Sequence, residues 1–476
     1  MYFLIAILLI AAIYSTKITS KFGVPVLLLF LGIGMLCGSD VLNLIYFDNA
    51  ILTQKVANIF LIFILFEGGF HTRRKIVESV FGPALTLATF GIALTAAILG
   101  LLIHFVMGLD LLYSFLIGSI ISSTDTAAVF MIMRQRAIKK RISLTLEVES
   151  ATNDPMAIML TIVFIQIITG HSQNVGLFIL SLIWQFGGGV AIGWLISKIG
   201  AFLFDHLKVE NRGYYHVLSI AVCLLAYGSA EVIQANGIIA VFFTGYWLGN
   251  TDFAYHKGVG HFIEGISTFS NIAIFLLLGV LVFPKSLLGV WREGLLITAI
   301  MILVARPLTI LICTLPFKFK LREKLFLMWG GIKGAVPIVL ATYPAVYGID
   351  ENHLIFNMVF FAVFLSCLLQ GVTLGWGASK LHLCLPARPK PMHSIELITT
   401  RKTDVDVFEI QLSENSRIAG LKISDLALPA DSLIIAIIRD DQIIPPKGHT
   451  VLEEGDILFV IASQKDVDRI STILSK

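Results

Sequence analysis

Between residues 149 and 155 the chain reads Glu149-Ser150-Ala151-Thr152-Asn153-Asp154-Pro155, inside a stretch otherwise dominated by apolar residues. Ser150 and Asp154 are four apart, so on a helix a hydroxyl and a carboxylate share one face and offer oxygens to one small, hard cation. Pro155 has no amide hydrogen, which frees the carbonyl of Ala151 as a further oxygen. Asn or Asp before Pro also starts many helices in soluble proteins. Here the pair lies well inside an apolar run, where an ionised side chain costs roughly 2.5–3.5 kcal/mol by insertion scales. Asp154 is therefore read as a carboxylate that a proton or a cation must neutralise, and Asn153 as a neighbour that cannot titrate.

The same cost singles out Glu67, Asp125, Glu149, Glu231, Arg306 and Lys333. Asp125 stands in Ser122-Ser123-Thr124-Asp125-Thr126, five polar residues at the centre of an apolar run. Such a run suits an interrupted helix, whose free backbone groups need partners and whose half-helix dipoles a carboxylate can offset. Trp329-Gly330-Gly331-Ile332-Lys333-Gly334-Ala335-Val336-Pro337 has the glycines and proline of a second break, with Lys333 set to offset half-helix C-termini. Arg306 needs an anion, and Glu149 is the first choice, which leaves Asp154 free to titrate; a buried pair removes the cost of either charge alone. Glu67 either lines the approach to the site or sits at the interface beside Arg73 and Arg74. Glu231 is read as a structural hydrogen-bonding residue, and His104, His206, His216 and His261 as interfacial.

These residues need an apolar scaffold, and the composition supplies one: 57% of 476 residues are hydrophobic and 14% charged, against a soluble average of about 25% charged. The expected class is an all-α polytopic membrane protein. A net charge of +3, scattered between apolar runs, gives no nucleic-acid footprint. The cysteines lack the spacing of a disulfide framework or a zinc site. The N-terminal run has no basic residue before it and reads as a retained span. About thirteen runs approach the length needed to cross a bilayer: 1–16, 23–39, 54–70, 80–106, 111–134, 143–170, 175–204, 214–233, 235–250, 260–283, 289–315, 323–347 and 353–376. After the odd-numbered runs come Lys17, Lys21, Arg73, Arg74, Lys75, Arg134, Arg136, Lys139, Lys140, Arg141, Lys198, Lys208, Arg212, Lys257, Lys318, Lys320, Arg322 and Lys324; after the even-numbered ones come only Lys55, Lys285 and Arg292. That asymmetry puts the N-terminus outside and the C-terminus in the cytoplasm. The two breaks fall in runs an odd number apart, so they enter the membrane in opposite directions. Two inverted repeats with crossed broken helices follow as the expected architecture.

Beyond Leu385 the character changes. A linker over 386–402 leads to a small cytoplasmic α+β domain over 403–476, expected as strand 405–412, helix 418–426, strand 432–438, a hairpin turn through Pro445-Pro446-Lys447-Gly448, strand 456–462 and helix 464–474. So small a unit is expected to pair with a second copy.

Residues 1–385 resemble the NhaP and NHE branch of the monovalent cation/proton antiporters, through Thr124-Asp125, Glu149-Ser150, Asn153-Asp154, Arg306-Pro307 and Gly331-Ile332-Lys333-Gly334-Ala335. The resemblance implies a homodimer in the cell inner membrane, with a six-helix core moving like an elevator against a scaffold. It also implies Asp154 as the ion- and proton-binding carboxylate, Thr124 and Ser150 as ligands, and Glu149–Arg306 as a structural pair. Lys333 replaces the arginine common in NHE-type members, with the charge kept. The tail, with Ile418-Ala419-Gly420-Leu421 and Leu452-Glu453-Glu454-Gly455-Asp456-Ile457-Leu458, is similar to the TrkA-C (RCK-C) domains of potassium transporters, some of which bind a regulatory nucleotide such as cyclic di-AMP. That membership tilts the substrate toward K+, with Na+ as competitor. No enzyme chemistry or resident cofactor is expected. With one titrating carboxylate, exchange of cation for H+ should be one for one and electroneutral. A ligand-gated cation channel lacks a TVGYG-like filter here, and a sodium-coupled solute symporter lacks an organic-ligand pocket in the sequence.

Overall fold

The computed structural model describes residues 2–22, 25–47, 49–125, 138–170, 175–207, 209, 211–350, 353–384, 395, 405–412, 418–426, 428–429, 431–440, 442–463, 465–466, 469–470 and 473–474. Outside them lie Thr126 and the rest of the fifth run, Arg134, Arg136, Lys208, nearly all of the linker, and parts of the last expected helix. The chain divides into two compact units. The first holds Met1–Leu203, Gly213–Thr251 and Val259–Pro386; the second holds the C-terminal residues together with the short segments Phe204–Arg212 and Asp252–Gly258, which the sequence division at 385 left in the membrane domain.

Hydrocarbon offers a backbone no hydrogen-bond partner, so apolar runs satisfy themselves as helices. These are α1 (Tyr2–Phe22), α2 (Val26–Cys37), α3 (Ala50–His71), α4 (Arg74–Thr86), α5 (Ile92–Met107), α6 (Leu111–Ser122), α7 (Lys140–Ile168), α8 (Val175–His206), α9 (Gly213–Val232), α10 (Gly237–Gly249) and α11 (His256–Leu281). They continue with α12 (Pro284–Leu287), α13 (Trp291–Ile300), α14 (Arg306–Cys313), α15 (Leu321–Trp329), α16 (Ala335–Leu340), α17 (Tyr343–Val346) and α18 (Leu354–Lys380). Among the described residues, eight helices are long and apolar enough to cross a membrane, two of them being α4–α5 over Val80–Met107 and α13–α14 over Trp291–Cys313. Five shorter apolar helices accompany them: Phe3–Lys17, Val26–Cys37, Leu111–Ser122, Gly237–Gly249 and Ala335–Val346.

Local signals set the ends. Asn49 caps α3 by accepting from Leu52 N, Asp110 caps α6 by accepting from Leu112 N, and Asn236 caps α10 by accepting from Ile238 N and Ile239 N. Gln234, at φ 57°, turns the chain between α9 and α10. In the fifth run α6 ends at Ser122 and Ser123–Asp125 are non-helical, and the twelfth run splits into α15, α16 and α17. Both α4–α5 and α13–α14 pass through one π-helical turn, at Leu87–Gly91 and Met301–Ala305. Four residues beyond each turn, Thr95 and Thr309 meet through their hydroxyls at 3.0 Å. Where α3 lies on α10, a Cβ on Gly69 would come within 2.2 Å of Phe242 O; the missing side chain is what lets the backbones approach.

The second unit carries a four-stranded antiparallel sheet in the order β1-β4-β2-β3, with β1 Val405–Gln411, β2 Leu433–Arg439, β3 Gln442–Ile444 and β4 Ile457–Ser463. Two expectations are corrected. The helix expected over 418–426 is a turn and a single 3-10 turn at Ile423–Asp425, because Gly420 at φ 87° breaks the helical path and Lys422 bridges to Val451. The hairpin turns at Asp440, at φ 48° between paired Arg439 and Gln442, and not at Pro445–Gly448; left-handed Asp is what a two-residue hairpin turn favours. Strand β3 was absent from the sequence reading. Of the helix expected over 464–474, only 469–470 and 473–474 are helical among the described residues.

Candidate functional site

The two interruptions cross. After α6 the backbone is extended at Ser123, and the amide of Asp125 donates to Ile332 O at 2.8 Å, in the non-helical stretch between α15 and α16. Each break thus supplies the other with a partner that a continuous helix would have provided internally. Lys333, buried, donates from Nζ to Ser122 O at 3.0 Å, at the C-terminal end of α6. The Asp125 carboxylate lies against Gly334 at the start of α16: a Cβ there would fall 1.8 Å from Asp125 Oδ2. A cation therefore faces one half-helix C-terminus and an anion faces one half-helix N-terminus, the favourable sign in both cases. At the end of α15, Trp329 O accepts from Gln370 Nε2 at 3.0 Å, while Ser366 Oγ donates to Gln370 Oε1 at 2.6 Å.

Helix α7 runs unbroken through Pro155 and brings its polar face to this crossing. Ser150 Oγ donates to Thr124 O at 2.7 Å, Thr124 Oγ1 to Ser150 Oγ at 3.2 Å, and Asn153 Nδ2 to Thr124 Oγ1 at 2.6 Å. Thr124 is thus fastened to α7 from two positions. Three buried oxygens here, Ser123 Oγ, Asn153 Oδ1 and Asp154 Oδ1, have no hydrogen-bond partner among the described residues. A carboxylate with nearby hydroxyl and amide oxygens offers hard-cation chemistry. One turn before, Glu149 is fully buried and takes Arg306 Nη1 at 2.5 Å and Nη2 at 3.1 Å; Nη2 also reaches Leu327 O at 3.3 Å. The guanidinium is held in a bidentate fork, the strongest geometry for such a pair. Asp154 has no share in it.

A cavity of about 700 Å³ leads to Asp154. Its walls come from α3, α7, α11 and the two breaks, with Thr124, Asp125, Asp154 and Gly334–Pro337 among the lining residues. Glu67 lines it too, accepting from His71 Nδ1 at 3.0 Å and facing Ser267 Oγ at 3.5 Å. Arg74 pairs instead with Glu78. Glu231 lies elsewhere, exposed, with Oε1 accepting from Gly237 N at 3.3 Å. Sequence reasoning missed Glu147, Glu264, Ser267 and Asn271, all on the cavity wall. Glu147 carried a usable signal: it precedes Asp154 by two helical turns and so shares its face.

Comparison with known proteins agrees in extent and in kind. The family model for the transmembrane sodium/hydrogen exchanger matches residues 5–380, and that of the TrkA-C domain matches 407–475. The chain is 36% identical to the K(+)/H(+) antiporter NhaP2 of Shewanella sp. (strain ANA-3), over 100% of this chain and 83% of that protein. It is 33% identical to the K(+)/H(+) antiporter NhaP of Alkalimonas amylolytica, over 99% and 82%. The solved structure of the sodium proton antiporter MjNhaP1 from Methanocaldococcus jannaschii at pH 8 superposes with a TM-score of 0.69 at 26% identity, covering 79% of this chain and 98% of that one.

Proposed function

The chain belongs to the sodium/hydrogen exchanger family and is a cation/proton antiporter, and we propose that it exchanges K+ for H+ at Asp154, with Na+ as the competing cation. One observation carries this reading: Asp154 lines a cavity, with Oδ1 unpartnered among the described residues and Arg306 already engaged by Glu149. Left bare, the charge costs several kcal/mol in the membrane interior. A proton or a cation removes that cost, and each excludes the other. If only the neutralised carboxylate changes sides readily, exchange is obligatory. Ser150, Thr124 and Asn153 shape the oxygen shell, Lys333 and Asp125 balance the breaks, and Glu67 sits on the ion's way in. With Asn153 unable to titrate, one proton moves per cation and the cycle is electroneutral.

The potassium assignment draws on the K(+)/H(+) antiporters above; sodium stays in view because MjNhaP1 is a sodium proton antiporter. Thirteen crossings in inverted repeats are supported by the matched pairs of features: two breaks, two π-helical turns, and Thr95 against Thr309. In such a scaffold, elevator-type alternating access is the motion that fits. Arg73 and Arg74 beside the cavity mouth argue for a cytoplasmic opening, with the N-terminus outside. A homodimer in the cell inner membrane, and a TrkA-C domain that regulates it through a small ligand such as cyclic di-AMP, complete the reading.

The test is proteoliposomes with a trapped pH dye, challenged with K+, Na+ or Li+. Dequenching should be fastest with K+, insensitive to an imposed potential, and absent in Asp154→Asn. Exchange at the normal rate in that variant would refute the assignment.

A further inference from the structure

The cavity that reaches Asp154 has an inner end, and the residues just past it are specific. On α3 the lining residues are Leu61, Ile64, Leu65, Glu67, Gly68 and His71. Leu61 is the innermost of these, and Asn58 follows it by less than one helical turn, about 4.5 Å along the axis on the same face. On the facing wall, Gly334–Pro337 line the cavity, and the chain then continues through α16 to Tyr343 at the start of α17. Tyr343 is buried, and its hydroxyl donates to Asn58 Oδ1 at 2.8 Å. Both walls therefore run past the inner end and are tied together there by one side-chain hydrogen bond. A tyrosine suits this place because its ring excludes water while its hydroxyl remains satisfied.

Helix α3 packs chiefly on α10, while Tyr343 sits on the short α17, which touches both α3 and α16; α16 in turn packs on α18 and α6. Tyr343 is also within electrostatic reach of Tyr227, Tyr347 and Glu231, and Glu231 is exposed. The strength of the tie also suits a reversible closure. A neutral hydrogen bond shifts an equilibrium by roughly fivefold, which one transport cycle can undo, unlike the bidentate Glu149–Arg306 pair.

We infer that the Tyr343–Asn58 hydrogen bond is the latch that closes the second route to Asp154, on the face opposite the cavity mouth, and that its release opens the site to that side. The inference rests on the alternating-access reading of the same site. It is tested with Ala151→Cys, a cavity-lining position beside Asp154, labelled by a membrane-impermeant thiol reagent applied to each face of reconstituted vesicles. The chain without that cysteine serves as the blank. Adding Tyr343→Phe, or separately Asn58→Leu, should raise labelling from the face opposite the mouth by roughly fivefold, while Asn58→Asp, which keeps the acceptor, should stay near the parent rate. Opposite-face labelling unchanged in monodisperse Tyr343→Phe and Asn58→Leu protein would overturn the latch, as would an equal rise in Asn58→Asp. Labelling is read without transport, so failure of the parent chain to exchange cations for protons would count against the antiport reading and leave the latch to be decided by the labelling.

Discussion

Neutralising one member of the Glu149–Arg306 pair strands the other in a site where Glu149 is fully buried and Arg306 almost so. Breaking a buried ion pair from one side costs about 3–5 kcal/mol, because the remaining charge keeps its desolvation penalty and loses its compensation. Against a typical folding free energy of about 5–15 kcal/mol, that is a large fraction. Replacing both with apolar residues of similar volume removes both penalties together and is often close to neutral. Glu149→Leu and Arg306→Met should therefore each lower stability by about 3–5 kcal/mol, while the double variant lies within about 2 kcal/mol of the parent. The Arg306 contact with Leu327 O is lost wherever Arg306 is replaced, which sets the residual cost of the double at about 1 kcal/mol. Denaturant titration in detergent, followed by tryptophan fluorescence, gives the three differences. If the double variant's loss equals the sum of the singles, the charges act independently and the pair is not the structural unit described. Retention of cation/proton exchange by the double variant would further separate this pair from the transporting carboxylate.

Lys333→Met removes the donor to Ser122 O and the charge it brings to that half-helix end, and should cost about 1–3 kcal/mol in the same titration, with Lys333→Arg losing less. Gly334→Ala forces a methyl into the Asp125 carboxylate, and the pH-dye assay should show at least about a tenfold loss of exchange in protein that still inserts. In the C-terminal domain, Arg439 is bonded through Nε and Nη2 to both oxygens of buried Asp456, each at 2.8 Å, and also pairs with Glu453. Arg439→Ala should weaken the domain by about 1.5–3 kcal/mol, read as faster amide exchange along β2 and β4 in the full chain.

The residues that stand out in the sequence are those whose presence in an apolar run is costly, which is why Asp154, Glu149, Arg306, Lys333 and the Ser122–Asp125 run could be singled out without coordinates. The breaks were legible for the same reason, since consecutive polar residues or glycines do nothing for a continuous membrane helix. Ser267 and Asn271 were not, because whether a polar residue on a helix faces lipid, solvent or a cavity depends on which helices pack beside it. The π-helical turns at Leu87–Gly91 and Met301–Ala305 have no residue signature at all: they shift the backbone by one hydrogen bond and leave side-chain types unchanged. In the small domain, β3 escaped notice because three residues are too few for an alternation pattern, and Gly420 was read as part of a helix that its left-handed backbone forbids.

The mutual support of the two crossed segments also bears on how the chain is made. Lys333 lies 211 residues beyond Ser122, so at typical synthesis rates the first interruption waits about 10 to 40 s for the side chain that completes it. Through that interval its raw carbonyls sit in a half-assembled bundle, and the cell's insertion machinery must keep them wet or covered until the late segment arrives.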